Sequence, residues 1–227
     1  MSGRTMWTAV MAALLTWTLT GCMTPMPLSG DNDKVEANKP IALLTVTLRN
    51  DFKPAFTPKL TTVSVSRNGG AQSADRFSFA PDEKSRHESR DLPDNTYYLR
   101  LGLEPGPYSL NSIQSLGQFF PISGQFFTYV LQDFRMPSSG VTYLGNISAN
   151  VLPKQEGDVP AGAIIPLIDQ AVSGAYTGTF DVRISDRSAT DLSEFRKRFP
   201  ALQSVRIDKA ILPPFDRNKA KRHWNGG

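Results

Sequence analysis

The chain has 227 residues, with 25 Lys and Arg against 21 Asp and Glu, one Cys and two His. A lone cysteine excludes an intrachain disulfide, and His87 and His223 lack partners at ligand spacing, so neither a covalent staple nor a His/Cys metal centre is expected. The basic excess gathers in the last fifteen residues, where Arg217, Lys219, Lys221 and Arg222 face only Asp216; no basic domain face is indicated, and nucleic acid is not an expected partner.

At the start, Arg4 precedes an apolar stretch over residues 6–19, which Leu19-Thr20-Gly21-Cys22 closes with small residues before the only cysteine. A cationic beginning, an apolar middle and a small-residue end form the layout of a secretory leader. A membrane-spanning helix needs roughly 20 predominantly apolar residues. This stretch is shorter and is interrupted by Thr8, Thr16 and Thr18, which favours a leader over a span. The closing tetrad resembles the lipobox of bacterial lipoproteins. That resemblance implies that residues 1–21 are a signal peptide cut between Gly21 and Cys22. It also implies that the Cys22 thiol takes a diacylglyceryl group, with palmitate among its acyl chains, so that the chain is held at the membrane. In that family an Asp after the cysteine favours the inner membrane. Met23 stands there instead, which implies the periplasmic face of the outer membrane in a Gram-negative host.

Residues 22–39 contain Pro25, Pro27 and Gly30 among Asp, Asn, Lys and Glu and read as a lipidated, flexible tether. Strand signals begin at Ile41. Val46 and Leu48 alternate with Thr45 and Thr47, and Leu60, Val63 and Val65 repeat the alternation before the turn signal Asn68-Gly69-Gly70. Phe77 and Phe79 mark a brief third strand, and the charged residues 81–94 read as a surface loop with one helical turn. Residues 97–113 read as a hairpin: Tyr97, Leu99, Leu101 and Leu103 share one face, Tyr98 and Arg100 the other, and Glu104-Pro105-Gly106-Pro107 makes the bend. Further strands are expected over residues 125–134, 141–151, 175–184 and 204–212, with residues 163–168, broken by Pro166, as an edge or loop.

One helix is expected near the end. Asp191-Leu192-Ser193-Glu194 has the form of a capping box, and Pro200 limits the helix about two turns later. Eight or so short strands with one short late helix predict a mainly β protein, an antiparallel β-sandwich over residues 40–213. A basic, disordered tail is expected over residues 214–227. The strings Leu103-Glu104-Pro105-Gly106-Pro107-Tyr108 and Tyr143-Leu144-Gly145 resemble a pattern in uncharacterised bacterial lipoproteins with transthyretin-like or immunoglobulin-like sandwiches. The resemblance implies a fold and no activity.

No catalytic signature stands out. Ser85, Ser89 and Asp91 near His87 are the composition of a solvated loop, and no nucleophile elbow or phosphate-binding loop is present. The chain is expected to be no enzyme and to carry no cofactor and no metal. The one unusual feature is Gly117-Gln118-Phe119-Phe120, repeated as Gly124-Gln125-Phe126-Phe127. Adjacent aromatics point to opposite faces of a strand, so Phe119, Phe120, Phe126, Phe127 and Tyr129 either pack in the core or over a flank, or, where the rings project together, are candidate partner-binding residues. Two function classes remain. One is a non-enzymatic, lipid-anchored interaction or accessory module with an envelope protein partner. The other is a lipoprotein that binds a glycan or small molecule in a cleft lined by aromatics such as Phe119, Tyr129 or Tyr143.

Overall fold

Ile41–Asn50 (β1) is buried at nine of its ten positions, and the rest of the protein is arranged to make that possible. The computed structural model describes residues 23–70, 72–88, 93–163 and 167–226. Leu19, Thr20, Gly21 and Cys22, the tetrad that resembles a lipobox, and also Ser89, Asp91 and Pro166, lie outside the described residues. Three further strands precede the middle of the chain: Lys59–Arg67 (β2), Arg76–Phe79 (β3) and the two-residue Arg86–His87 (β4). Four long ones follow: Asp94–Gly102 (β5), Gly106–Phe119 (β6), Ile122–Met136 (β7) and Val141–Pro153 (β8). A short helix, Ile168–Ser173 (α1), leads to Gly178–Ser185 (β9). Ser188–Arg198 (α2), Ile207–Lys209 (β10) and Arg217–Trp224 (α3) complete the chain.

The strands form two sheets. One has the order β10-β8-β1-β5-β4 with β9 also on β8; the other has the order β3-β2-β6-β7. Their facing sides share one apolar core. Ala42, Leu44, Val46, Leu48, Leu99 and Ile147 of the first meet Leu60, Val63, Tyr108, Leu110, Ile113 and Phe126 of the second. The protein is therefore mainly β, as its alternation predicts, but not wholly antiparallel. β1 runs parallel to β8, and β8 parallel to β10. Parallel neighbours need a long crossover, and the entire second sheet supplies it between β1 and β8.

The expected 97–113 hairpin does not form. β5 pairs with β1, whereas β6 pairs with β2 and β7, so the Pro-Gly-Pro bend carries the chain from one sheet to the other. Turn chemistry specifies that the chain bends and leaves open which strand it then joins. Nine paired positions along β1 hold β5 in the first sheet.

The outer face of the first sheet is covered as well. Ile41, Leu43, Tyr98, Val141 and Tyr143 pack beneath Phe195 and Phe199 of the α2 region and Leu28 of the N-terminal segment. Burial on both faces is why β1 is a nearly continuous apolar run. Three α-helices occur among the described residues rather than the expected one. α2 starts earlier than the capping-box reading has it: the Asp186 carboxylate accepts the Ser188 N–H at 2.9 Å. Asp191 lies inside the helix, buried, accepting a hydrogen bond from the Tyr143 hydroxyl at 2.6 Å.

The described residues depart from expectation at both ends. The first part of the segment read as a flexible tether is fastened down, with Met26 and Leu28 buried in the two cores. The tail read as disordered forms α3. Its first turn is capped by Asp216, which accepts from the Lys219 N–H at 2.9 Å, and Ala220 is buried against the domain. A helix of this length is marginal alone; the aromatic and ionic contacts described next hold it.

Candidate functional site

The two Gly-Gln-Phe-Phe copies occupy the two arms of one hairpin, β6 and β7, with Gly117 opposite Gly124 and Phe119 opposite Ile122. Phe126 points inward and is 2% exposed, edge-on to Phe180 at 6.1 Å. Phe127 points outward onto Tyr129, with ring centres 4.7 Å apart. Tyr129 in turn lies against His223 and Trp224 of α3, at 4.9 and 6.0 Å. Phe119 and Phe120 sit at the hairpin tip, 61% and 95% exposed. The five aromatics therefore divide between the packed and the exposed readings their spacing left open. One is in the core, two are under the tail helix, and only Phe119 and Phe120 face solvent.

The tip pair has other company. α1 carries Leu167, Ile168 and Val172 outward, Ile168 at 81% exposure. It is pinned to the tip-proximal part of β7: the Gln170 side chain accepts from the Gln125 N–H at 2.7 Å and donates to the Gln125 carbonyl at 3.2 Å. Asn50 donates to the carbonyls of Phe56 and Ser173 at 3.1 and 3.2 Å, tying α1 to the short turn that carries Phe56. Phe56 lies edge-on to Phe119, ring centres 6.0 Å apart. The repeated glycines make the approach possible, because a Cβ at Gly117 would strike the Phe56 carbonyl and one at Gly124 would strike Ser173. Thus five of the six large apolar side chains found exposed among the described residues belong to one end of the hairpin. Buried, fully bonded amides hold that end in place.

The polar clusters are closed. The Arg100 guanidinium is fully buried. It pairs with Asp82, donates from Nε to the Pro27 carbonyl at 2.7 Å and from Nη1 to Ser85 Oγ at 2.8 Å, and lies 4.0 Å over the Phe199 ring. Partial burial opposes ionisation of Asp82, but hydrogen bonds from Arg100 and Ser85 and the Arg100 charge outweigh it and hold the carboxyl at about 2. Tyr97 donates to Glu88 at 2.7 Å and accepts from the Leu60 N–H at 2.9 Å. Burial, reinforced by Glu88, raises its hydroxyl above the ordinary range. Burial and Asp191 do the same to Tyr143. These groups serve one another and face no open cleft. Ser85 is committed to Asp82 and Arg100, not to His87. No cluster of three or more His, Cys, Asp or Glu suited to a metal occurs among the described residues.

Cavities give little to a small ligand. The one beneath α3, lined by Phe127, Thr128, Tyr129, Phe180 and Phe215, has a volume of about 30 Å³, against the roughly 300–1,000 Å³ of ligand pockets. Two open depressions of about 380 and 300 Å³ are lined partly by paired charges, among them Asp158, Asp181 and Arg217 in one and Arg49, Asp51 and Arg183 in the other. Phe119, Tyr129 and Tyr143, the aromatics assigned to a binding cleft, lie at the tip, under α3 and within the outer core respectively.

Sequence reasoning found the tip aromatics and missed α1 and the Arg100 clamp. The signal for the clamp was present: an arginine between Leu99 and Leu101 in an apolar strand is costly unless paired. Nothing in residues 167–173 resembles a helix long enough to be noticed.

No family model matches the chain, and no curated protein matches it. Among solved structures, 48% of the chain is similar to part of a leucine-rich repeat protein from Bacteroides thetaiotaomicron VPI-5482, with 13% identity and a TM-score of 0.29. The likeness spans 14% of that chain and is too loose to carry an argument.

Proposed function

We propose that this chain is a lipid-anchored envelope protein acting as a non-enzymatic interaction module, joined to the membrane through acylated Cys22 and to a protein partner through the β6–β7 tip and α1. The observation that carries the partner half is the concentration of Phe119, Phe120, Leu167, Ile168 and Val172 at one rigidly pinned end. Large apolar side chains exposed together mark interaction sites. Aromatics on a pre-ordered support lose little entropy on binding. The closed polar clusters, and two larger depressions that are open and lined by no aromatic, favour this reading over catalysis and over capture of a glycan in an aromatic cleft. The lipobox resemblance supports the anchor, and Met23 after the cysteine supports the outer membrane of a Gram-negative host. The Pro-Gly bend before Tyr108 and the Tyr143-Leu144-Gly145 string support grouping the two sheets with transthyretin-like or immunoglobulin-like sandwiches, with the parallel β1–β8 pair as a departure.

A photo-crosslinking residue at position 120, introduced in cells, is expected to capture one envelope protein, and Ile168→Asp is expected to abolish that adduct. The same adducts from a crosslinker at exposed Gln155 would remove the partner reading. Cys22→Ser is expected to abolish palmitate labelling and release the protein from the membrane. Retention of the label would remove the anchor.

A further inference from the structure

The segment next to the lipid site is the least expected part of the fold. The Thr24 N–H donates to the Ser78 carbonyl of β3 at 2.8 Å, so the chain runs along the open edge of the second sheet immediately after Met23. Met26 and Leu28 are buried, Pro27 is held through its carbonyl by Arg100 Nε at 2.7 Å, and the single Ser29 hydroxyl proton has Met26 O at 2.9 Å and Asp82 at 3.0 Å as its acceptors. Residues 24–29 are therefore part of the domain. Only Met23 separates this fastened stretch from Cys22. Two virtual bonds of about 3.8 Å keep the Cα of Cys22 within about 8 Å of that of Thr24. The β3 edge lies one strand spacing further, about 5 Å.

We infer that the domain sits edge-on against the bilayer, with the β3 edge facing lipid and the hairpin tip and α1 turned away from it. The inference rests on the acylation of Cys22 proposed above. A free spacer over residues 22–39 would let the domain stand off by several tens of Å. The fastened segment leaves a leash comparable with the headgroup layer, roughly 5–7 Å per leaflet. Met23, exposed and apolar, lies at the point of contact. β3 and β7 are opposite edges of the four-stranded sheet, about 14 Å apart at the usual strand spacing, and α1 packs on β7. Ser78 is level with Ser64 and, through it, Ser112. The tip is seven residues further along β6, about 23 Å at the usual rise. The apolar end is thus offered to a neighbouring protein beside or above the domain, and lipid is not its partner.

The test uses acylated full-length protein in phosphatidylcholine–phosphatidylglycerol vesicles containing a headgroup spin-labelled lipid. A fluorophore is placed by Arg76→Cys on β3 or by Ile168→Cys on α1. Quenching is expected to be several-fold stronger at position 76. A Gly-Ser spacer inserted between Met23 and Thr24 is expected to leave acylation and fold intact while weakening and equalising the two signals. Equal quenching in the parent protein, or stronger quenching at 168, would overturn the orientation. Acyl content is read on the same samples by mass. Acylated protein with equal quenching defeats the orientation alone, whereas unacylated protein defeats the anchor and this inference with it.

Discussion

The two Gly-Gln-Phe-Phe copies lie seven residues apart in one hairpin and have opposite fates. In the second, the strand continues, β pleat sends Phe126 inward and Phe127 outward, and both rings are covered. In the first, the strand ends: Phe119 is its last residue and Phe120 lies in the turn, beyond the reach of either sheet. Identical local sequence thus yields core at one site and solvent exposure at the other. What decides is distance from the turn. Pairing opposite Ser115 sets Phe126 over the core, while nothing stands opposite Phe120.

Truncation separates the two copies most sharply. Phe126→Ala removes a fully packed ring and is expected to destabilise the protein by about 3–5 kcal/mol, measured as the shift in urea midpoint at constant slope. A loss under about 1 kcal/mol would mean that the second copy is not core. Next in size, Gly124→Ala pushes a methyl into buried Ser173. Overpacking of this kind costs roughly 1–3 kcal/mol, and hydrogen exchange should quicken over residues 168–173 while β1 stays protected.

Acid contrasts the hairpin end with the N-terminal segment. The former is pinned by the neutral amides of Asn50 and Gln170, the latter by the Asp82–Arg100 pair. Because the Asp82 carboxyl is lowered from 3.8 to about 2 in the folded protein, its contribution is complete above the unfolded value and is lost as pH falls towards 2. Allowing for the part of Asp82 open to water, roughly 1–2 kcal/mol is at stake. Limited proteolysis should release residues 23–29 ahead of the hairpin at pH 2 more readily than at pH 5, and this pH dependence should vanish in Asp82→Asn, whose segment is loosened at both. The smallest effect belongs to the first copy: Phe120→Ser is expected to move stability by no more than about 0.5 kcal/mol while abolishing crosslinking through Ile168→Cys carrying a thiol-reactive photoprobe.

Much of the strand content was legible because alternation reports burial directly: Tyr97, Leu99 and Leu101, or Val63 and Val65, face the core as their spacing says. Pairing was not. The Glu104–Pro107 bend has the same chemistry whether it closes a hairpin or crosses between sheets, and only long-range contacts with β1 and β2 choose. The helices were hidden by length and by partners. α1 has six residues, too few for the Ile168, Ala171 and Val172 stripe to repeat, and α3 is polar except where Ala220 and Trp224 meet the sheet. Residues 24–29 look like a spacer because Pro25, Pro27 and Ser29 are common in spacers. Their fastening comes from Arg100, more than seventy positions away, an interaction that no local window contains.

The place of β1 also sets a timetable. This strand is buried at nine of ten positions, yet its antiparallel neighbour begins at Asp94 and its parallel neighbour at Val141. At roughly 5–20 residues per second of synthesis, the ribosome needs several seconds or more after β1 to supply the second partner, and pairing over such separations is intrinsically slow. Until then Ile41–Asn50 is an apolar strand with at least one edge unsatisfied. A chain built this way completes its first sheet only once β8 has been made, so β1 is its chief aggregation liability during synthesis.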